Sequence, residues 1–249
     1  MPIFNNVLEI IGKTPLVELR KLNKNGCAKV FVKLESKNPG GSIKDRPALS
    51  MIEEAEKAGK ITNNTVIIEP TSGNMGVGLA MICAVKGYKL ILTMPESMSL
   101  ERRALLKAYG AELVLTPKEK GMQGAVDKAL ELMNIYPKTF MPQQFNNAAN
   151  PLAHEKTTAL EILDDLDGKL DIFVAGFGTA GTVCGCAKVF KQLERKVEII
   201  ALEPETSPLL TKGQAGAHKI QGIGANFIPK NFKQECIDRV LTVNAEKAI

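Results

Sequence analysis

The stretch "DIFVAGFGTAGTVCGCAKVF", residues 171–190, decides how the chain is read. Asp171 to Ala175 is a short apolar run with the look of a buried strand. Gly176, Gly178 and Gly181 follow in G-x-G-x-x-G spacing, and a helical stretch runs from about Thr182 to Leu193. A second strand, "VEIIALEPE" (197–205), sets Glu203 about 20 residues past the last glycine, where a dinucleotide site keeps its ribose-binding acid. Taken alone, the stretch implies NAD. The spacing alone is weak evidence, because tight strand-to-helix turns select glycine for steric reasons.

Outward from this stretch, strand-like and helix-like segments alternate through nearly all of the 249 residues. Strands at 30–34, 65–69, 89–95 and 112–117 lead to helices over 44–58, 74–85, 100–109 and 122–133. A Pro-containing passage and a helix near 154–164 precede the motif. Single crossover helices between strands imply parallel sheets covered on both faces. The division falls at "MPQQFNNAANP" (141–151), with one four-strand α/β unit before it and another after. "RVLTV" (239–243) reads as a strand, Asn244 as an N-cap and "AEKAI" as a first helical turn.

Composition narrows the function classes. A 45% hydrophobic and 24% charged chain is that of an ordinary soluble protein. Net charge is +5 with scattered Lys and Arg, no Trp and three Tyr, which suits small anions and lacks a nucleic-acid-binding stripe. No apolar run reaches the ~18 residues of a membrane span, and no signal-peptide pattern opens the chain. The five cysteines contain no C-x-x-C pair and read as reduced thiols of a cytoplasmic protein. With only His154 and His218 available, no metal site is expected.

Three loops at strand ends carry the chemistry. In "ESKNPGGSIKDR" (35–46), Lys44 falls at a helix start, where the positive end of the helix dipole lowers an amine's pKa. A neutral amine can condense with an aldehyde. In "EPTSGNMG" (69–76), Thr71, Ser72, Gly73 and Asn74 offer hydroxyls, an amide and helix-start N–H groups to a carboxylate or phosphate. In the opening stretch, Gly178, Thr179, Ala180, Gly181 and Thr182 can surround a phosphate. A phosphate cradle, a carboxylate cradle and an amine of depressed pKa together describe a pyridoxal 5'-phosphate site.

The chain resembles the cysteine synthase (O-acetylserine sulfhydrylase) family of fold-type-II pyridoxal-phosphate enzymes from "FNNVLEIIGKTPLVEL" to "DRVLTVNAEKA". The carriers are "KNPGGSIKDR", "EPTSGNMG", "LTMPESMSLERRALLKAYGAELVLTP", "MPQQFNNAANP", "VAGFGTAGT" and "HKIQGIGANFIP". The run "MPESMSLERR" marks the cysteine synthase branch. The resemblance implies two three-layer α/β domains of mainly parallel sheet, in the manner of tryptophan synthase β. A smaller domain would span 36–148; 1–35 plus 149–249 would form the larger, phosphate-binding one. It implies that Lys44 is the Schiff-base lysine and removes the substrate α-proton, and that Asn74 bonds the cofactor's ring hydroxyl. Thr71, Ser72, Gly73 and Gln144 would hold the substrate carboxylate, and Gly178 to Thr182 the phosphate. Gly222, Ile223, Gly224 and Ala225 would line the substrate side. The implied reaction converts O-acetylserine and sulfide to cysteine and acetate. The implied partners are a second copy in a homodimer and serine acetyltransferase.

Four features depart from the family pattern. Met75 stands where a Thr is usual, removing a hydroxyl from the carboxylate loop. Ala180 replaces a glycine and is expected to keep a negative φ. Pro47 follows K-D-R, as a first-turn position allows. Glu155 and Ala159-Leu160 stand where the family tends to have a basic residue and a glycine-led pair. The chain is also expected to be truncated relative to the family. The resemblance implies that the rest of the last helix, a further strand and the serine-containing loop that meets the cofactor's ring nitrogen would follow Ile249 in the family. Two alternatives stay open at this point: a non-catalytic remnant that binds a partner such as serine acetyltransferase, and an NAD-binding protein.

Overall fold

The computed structural model describes residues 3–21, 23, 26, 28–71 and 73–248. Strands β1 (Leu16–Glu18) and β2 (Phe31–Lys33) form a small antiparallel pair. The segment at 30–34 therefore does not open the first parallel unit, as its sequence suggested. Its strand is three residues long, and its ladder is completed by β1 instead.

The first parallel sheet contains β3 (Val66–Pro70), β4 (Lys89–Pro95), β5 (Glu112–Thr116) and the two-residue β6 (Thr139–Phe140), in the order β5-β4-β3-β6. Alternation along β3 and β4 divides two cores. Ile67, Leu90, Leu92 and Met94 face helices α1 (Asp45–Lys57), α2 (Asn74–Lys86) and α3 (Leu100–Ala108). Val66, Ile68 and Ile91 face α4 (Gly121–Ile135) through Ala129 and Leu132.

Helix α1 buries Ala48, Met51, Ile52 and Ala55, the i, i+3, i+4, i+7 stripe of a helix lying on a sheet. Asp45 opens it, Pro47 lies in its first turn as expected, and Lys57 lies in its last, a charge order that suits the dipole. Helix α2 is buried from Met75 to Cys83 and ends at Gly87, whose φ of 74° supplies the left-handed cap.

After the short α5 (Ala149–Ala153), one π-helical turn (His154–Thr158) runs into α6 (Ala159–Asp165). The second sheet, β7 (Ile172–Gly176), β8 (Glu198–Pro204) and β9 (Arg239–Val243), is parallel in the order β7-β8-β9. It has three strands among the described residues, one fewer than expected. Helix α6 and α7 (Gly181–Phe190) cover one face through Ala159, Ile162, Val183, Ala187 and Phe190. The other face leaves Ile172 and Val174 about half exposed. Two short helices remain, α8 (Leu209–Lys212) and α9 (Ala245–Ala248). Asn244 caps α9, its Oδ1 accepting the N–H of Glu246 at 2.9 Å.

Helix α5 packs against both α1 and α7. Ser50 of α1 donates to the Ala149 carbonyl at 2.8 Å. A side chain at Gly185 of α7 would lie 2.3 Å from the Pro151 carbonyl oxygen, so glycine is what lets the two helices approach. The α1 and α7 N-termini, which carry Lys44 and the glycine motif, are therefore held by a common wedge.

Candidate active site

Lys44 stands immediately before α1, its N–H donating to Ser42 Oγ at 3.1 Å. The residue is half-buried, and desolvation of its amine pushes its pKa below the ordinary lysine value. Its carbonyl oxygen would lie 3.3 Å from a Cβ at Gly78, so glycine lets α2 close on α1. Beside it Asp45 accepts the Gly40 N–H at 2.6 Å, fixing the Pro39–Gly41 turn. Burial raises the Asp45 carboxyl to about 6.

His154, which the sequence offers only as a metal ligand, lies beside the glycine motif, and the Lys44 charge acts on it. His154 is buried between Thr158 Oγ1 at 2.9 Å and Thr182 Oγ1 at 3.3 Å. Desolvation, then the charges of Lys44 and Arg46, lower its pKa to about 3. The ring is therefore neutral at physiological pH, and it holds the Thr182 hydroxyl at the start of α7.

The cradle itself is a strand-turn-helix. Gly178 passes so close to Gly222 that a Cβ would sit 2.7 Å from the Gly222 carbonyl oxygen; a Cβ on Gly181 would sit 1.9 Å from Asn150 Oδ1. The first N–H groups of α7 lack intrahelical acceptors and point out of the helix start, as an anion requires. Ala180 corrects one expectation: its φ is +62°, in the left-handed region. The turn into α7 imposes that conformation, and the methyl is accommodated in the core at 2% exposure, at a cost of about 1–2 kcal/mol in backbone strain.

The carboxylate loop follows β3. Thr71 is buried, and its Oγ1 accepts the Gly73 N–H at 3.3 Å. Ser72 lies outside the described residues. Asn74 is exposed at the first turn of α2, its Oδ1 3.4 Å from Arg102 Nη1. Met75 points into the core at 1% exposure. Gln144 reaches the same strand end from far along the chain: Glu69 Oε2 accepts the Gln143 N–H at 2.9 Å and Oε1 the Gln144 N–H at 3.3 Å. The Gln144 carbonyl accepts from Asn150 Nδ2 at 2.7 Å and Asn231 Nδ2 at 2.8 Å.

Gly222 and Gly224 have φ of 89° and 70°. Their loop is pinned to the glycine motif by the Gly224 N–H donating to Phe177 O at 2.7 Å. Ile223 packs over Gly176, where a Cβ would meet its Cγ2 at 2.4 Å. Thus the Gly178–Gly181 turn gathers with the Gly222–Gly224 loop, and Lys44 stands at the start of α1, which α5 joins to α7. Thr71 and Gln144 gather around the end of β3.

Glu203 removes the dinucleotide reading. It is fully buried, and its carboxylate is spent on the Leu210 N–H, the Thr211 N–H and the Thr211 hydroxyl at 2.7, 3.1 and 2.6 Å. It anchors α8 and offers no oxygen to a ribose. Among the described residues no cluster of three His, Cys, Asp or Glu could hold a metal ion.

A desolvated lysine amine and a helix-start anion cradle, the one at the start of α1 and the other at the start of α7, suit pyridoxal phosphate, for which Lys44 is the candidate to hold the aldehyde carbon and Gly178–Thr182 the phosphate. The chain's comparisons agree. The family model "Pyridoxal-phosphate dependent enzyme" matches residues 7–249. Cysteine synthase B of Campylobacter jejuni is 55% identical over 249 residues, 100% of this chain and 82% of the relative. A crystal structure of a hydrogen sulfide-producing enzyme from Fusobacterium nucleatum superposes with a TM-score of 0.96 at 48% identity, over 100% of this chain and 82% of that one. The cysteine synthase (OASS) of Entamoeba histolytica gives a TM-score of 0.96 at 42% identity, over 99% and 74%. The chain belongs to the pyridoxal-phosphate-dependent enzymes, in the cysteine synthase family.

Proposed function

We propose that the protein is a cysteine synthase that replaces the acetoxy group of O-acetylserine with sulfide. The Cβ–O bond to acetate breaks, a Cβ–S bond forms, and the products are cysteine and acetate. The observation that carries this is the helix-start glycine cradle of α7, packed through α5 onto the helix that Lys44 opens, in a chain 55% identical to a cysteine synthase B. When bound, pyridoxal phosphate supplies the electron sink for charge at the substrate's Cα. Lys44, more readily left unprotonated than an ordinary lysine, is suited to take the α-proton and return it once sulfur is in place. Thr71 and Gln144 fix the substrate carboxylate at the end of β3, and the Gly222–Gly224 loop closes the other side.

The smaller domain is assigned to 36–148 and the larger to 1–35 with 149–249, a division supported by separate hydrophobic cores around the two sheets. No helix among the described residues is long and apolar enough to cross a membrane, and Cys83, Cys184, Cys186 and Cys236 are free thiols, which suits a cytoplasmic enzyme. A homodimer and an association with serine acetyltransferase complete the reading; gel filtration alone and with that enzyme tests both. The activity test is cysteine formation from O-acetylserine and sulfide by the cofactor-loaded chain. Activity that Lys44→Ala abolishes supports the reading, and activity that survives the substitution overturns it.

A further inference from the structure

Between the two halves of the site lies a buried polar relay with Asn150 at its centre. Asn150 is 1% exposed, and Gln144 and Thr179 are each 8% exposed. The two hydrogens of the Asn150 amide are both committed: one to the Gln144 carbonyl at 2.7 Å, the other to Thr179 Oγ1 at 3.0 Å. Thr179 Oγ1 also accepts the Gly181 N–H at 3.4 Å. A hydroxyl has two acceptor lone pairs and one donor hydrogen. With both lone pairs engaged by N–H groups, the hydrogen of Thr179 is left to donate outward, the polarity a phosphate oxygen needs. The same amide holds Gln144 from its carbonyl side while Glu69 holds it from its N–H side.

We propose that Asn150 is a positioning residue that sets Thr179 as a phosphate donor and locks the Gln144 loop to the phosphate loop. It touches neither substrate nor cofactor, and it acts through Thr179 and Gln144. The inference rests on the cysteine synthase reading and extends it to a residue of the 141–151 run to which the sequence analysis gives no role.

The test compares binding of pyridoxal phosphate and of pyridoxal, which lacks the phosphate, by absorbance titration of the full chain. Wild type must bind pyridoxal phosphate more tightly; equal affinities would overturn the phosphate-cradle reading itself, and this inference with it. Given that preference, Asn150→Ala should weaken pyridoxal phosphate binding about tenfold, the scale of one or two lost hydrogen bonds, and leave pyridoxal binding within about twofold. Adding Thr179→Val to Asn150→Ala should cost less than Thr179→Val costs alone, because the two act on one contact. A structural residue without this role would lower both affinities together. Unchanged affinities, equal losses for the two ligands, or additive losses in the double variant would each overturn the proposal. Asn150→Leu keeps the branched side-chain shape while removing both donors without adding a charge, and decides the matter by the same ratio if the alanine variant does not fold.

Discussion

Glu69 closes β3 with a carboxylate that is 2% exposed and accepts two backbone N–H groups, those of Gln143 and Gln144. Burial outweighs these bonds and raises its pKa from 4.5 to about 7. A carboxyl whose folded value exceeds its unfolded one contributes stability in full below the unfolded value, and loses it as pH rises through the folded value. Integrated from about pH 5 to about pH 8, the loss is about 2.5 kcal/mol. Glu69→Gln cannot titrate, so the stability of wild type minus variant should fall by about that amount over the same interval. Any constant cost of setting an amide against the two N–H groups cancels in this slope. His154 works in the opposite sense, losing stability as pH falls from 6.5 towards about 3, and it too cancels to first order in the difference. The assay is urea denaturation of both proteins at several pH values. Parallel stability curves from pH 5 to 8 would refute the reasoning, as would a difference that grows with pH.

Arg46 pairs through Nε and Nη2 with Glu35 at 2.8 and 2.9 Å, and through Nη1 and Nη2 with Glu161 at 2.6 and 2.7 Å. Arg46→Met leaves both carboxylates without their shared partner and should cost about 3–5 kcal/mol in chemical denaturation. Gly181→Ala should lower stability by about 1–3 kcal/mol and weaken pyridoxal phosphate binding, because the new methyl displaces Asn150 Oδ1. Ala180→Gly should raise stability by up to about 1 kcal/mol, since relief of left-handed strain exceeds the chain entropy glycine adds; a lower melting temperature would show that the buried methyl matters more.

Much of the fold was legible because its long helices and strands carry strong periodicity: α1, α2 and α4 and the strands from β3 to β5 fall within a few residues of their expected positions. What escaped is short or tertiary. Thr139–Phe140 is too brief for any period, yet it supplies the fourth strand of the first parallel sheet, for which the sequence offers residues 30–34. The π-helical turn at His154–Thr158 has no sequence signature. At the site, Lys44, Thr71, Gly178, Gly181 and Thr182 were visible as loop residues at strand ends. The left-handed Ala180 was not, because its conformation is imposed by the turn. Glu203 misled for a related reason: its spacing matches a ribose acid, and only its partners reveal an anchor for α8. Glu69, Asn150 and Asn231 were missed because their roles exist only when segments dozens of residues apart converge on Gln144. A carboxylate ending the apolar run "VIIE" was the one local sign, since a buried charge needs partners.

The central claim is that a desolvated Lys44 amine makes this site a pyridoxal phosphate centre for β-replacement. Its most direct test is the absorption spectrum of the reconstituted chain, before and after O-acetylserine. The account predicts a visible band that Lys44→Ala removes and that O-acetylserine changes until sulfide restores it. A colourless protein after reconstitution, or a coloured one indifferent to O-acetylserine, would contradict it.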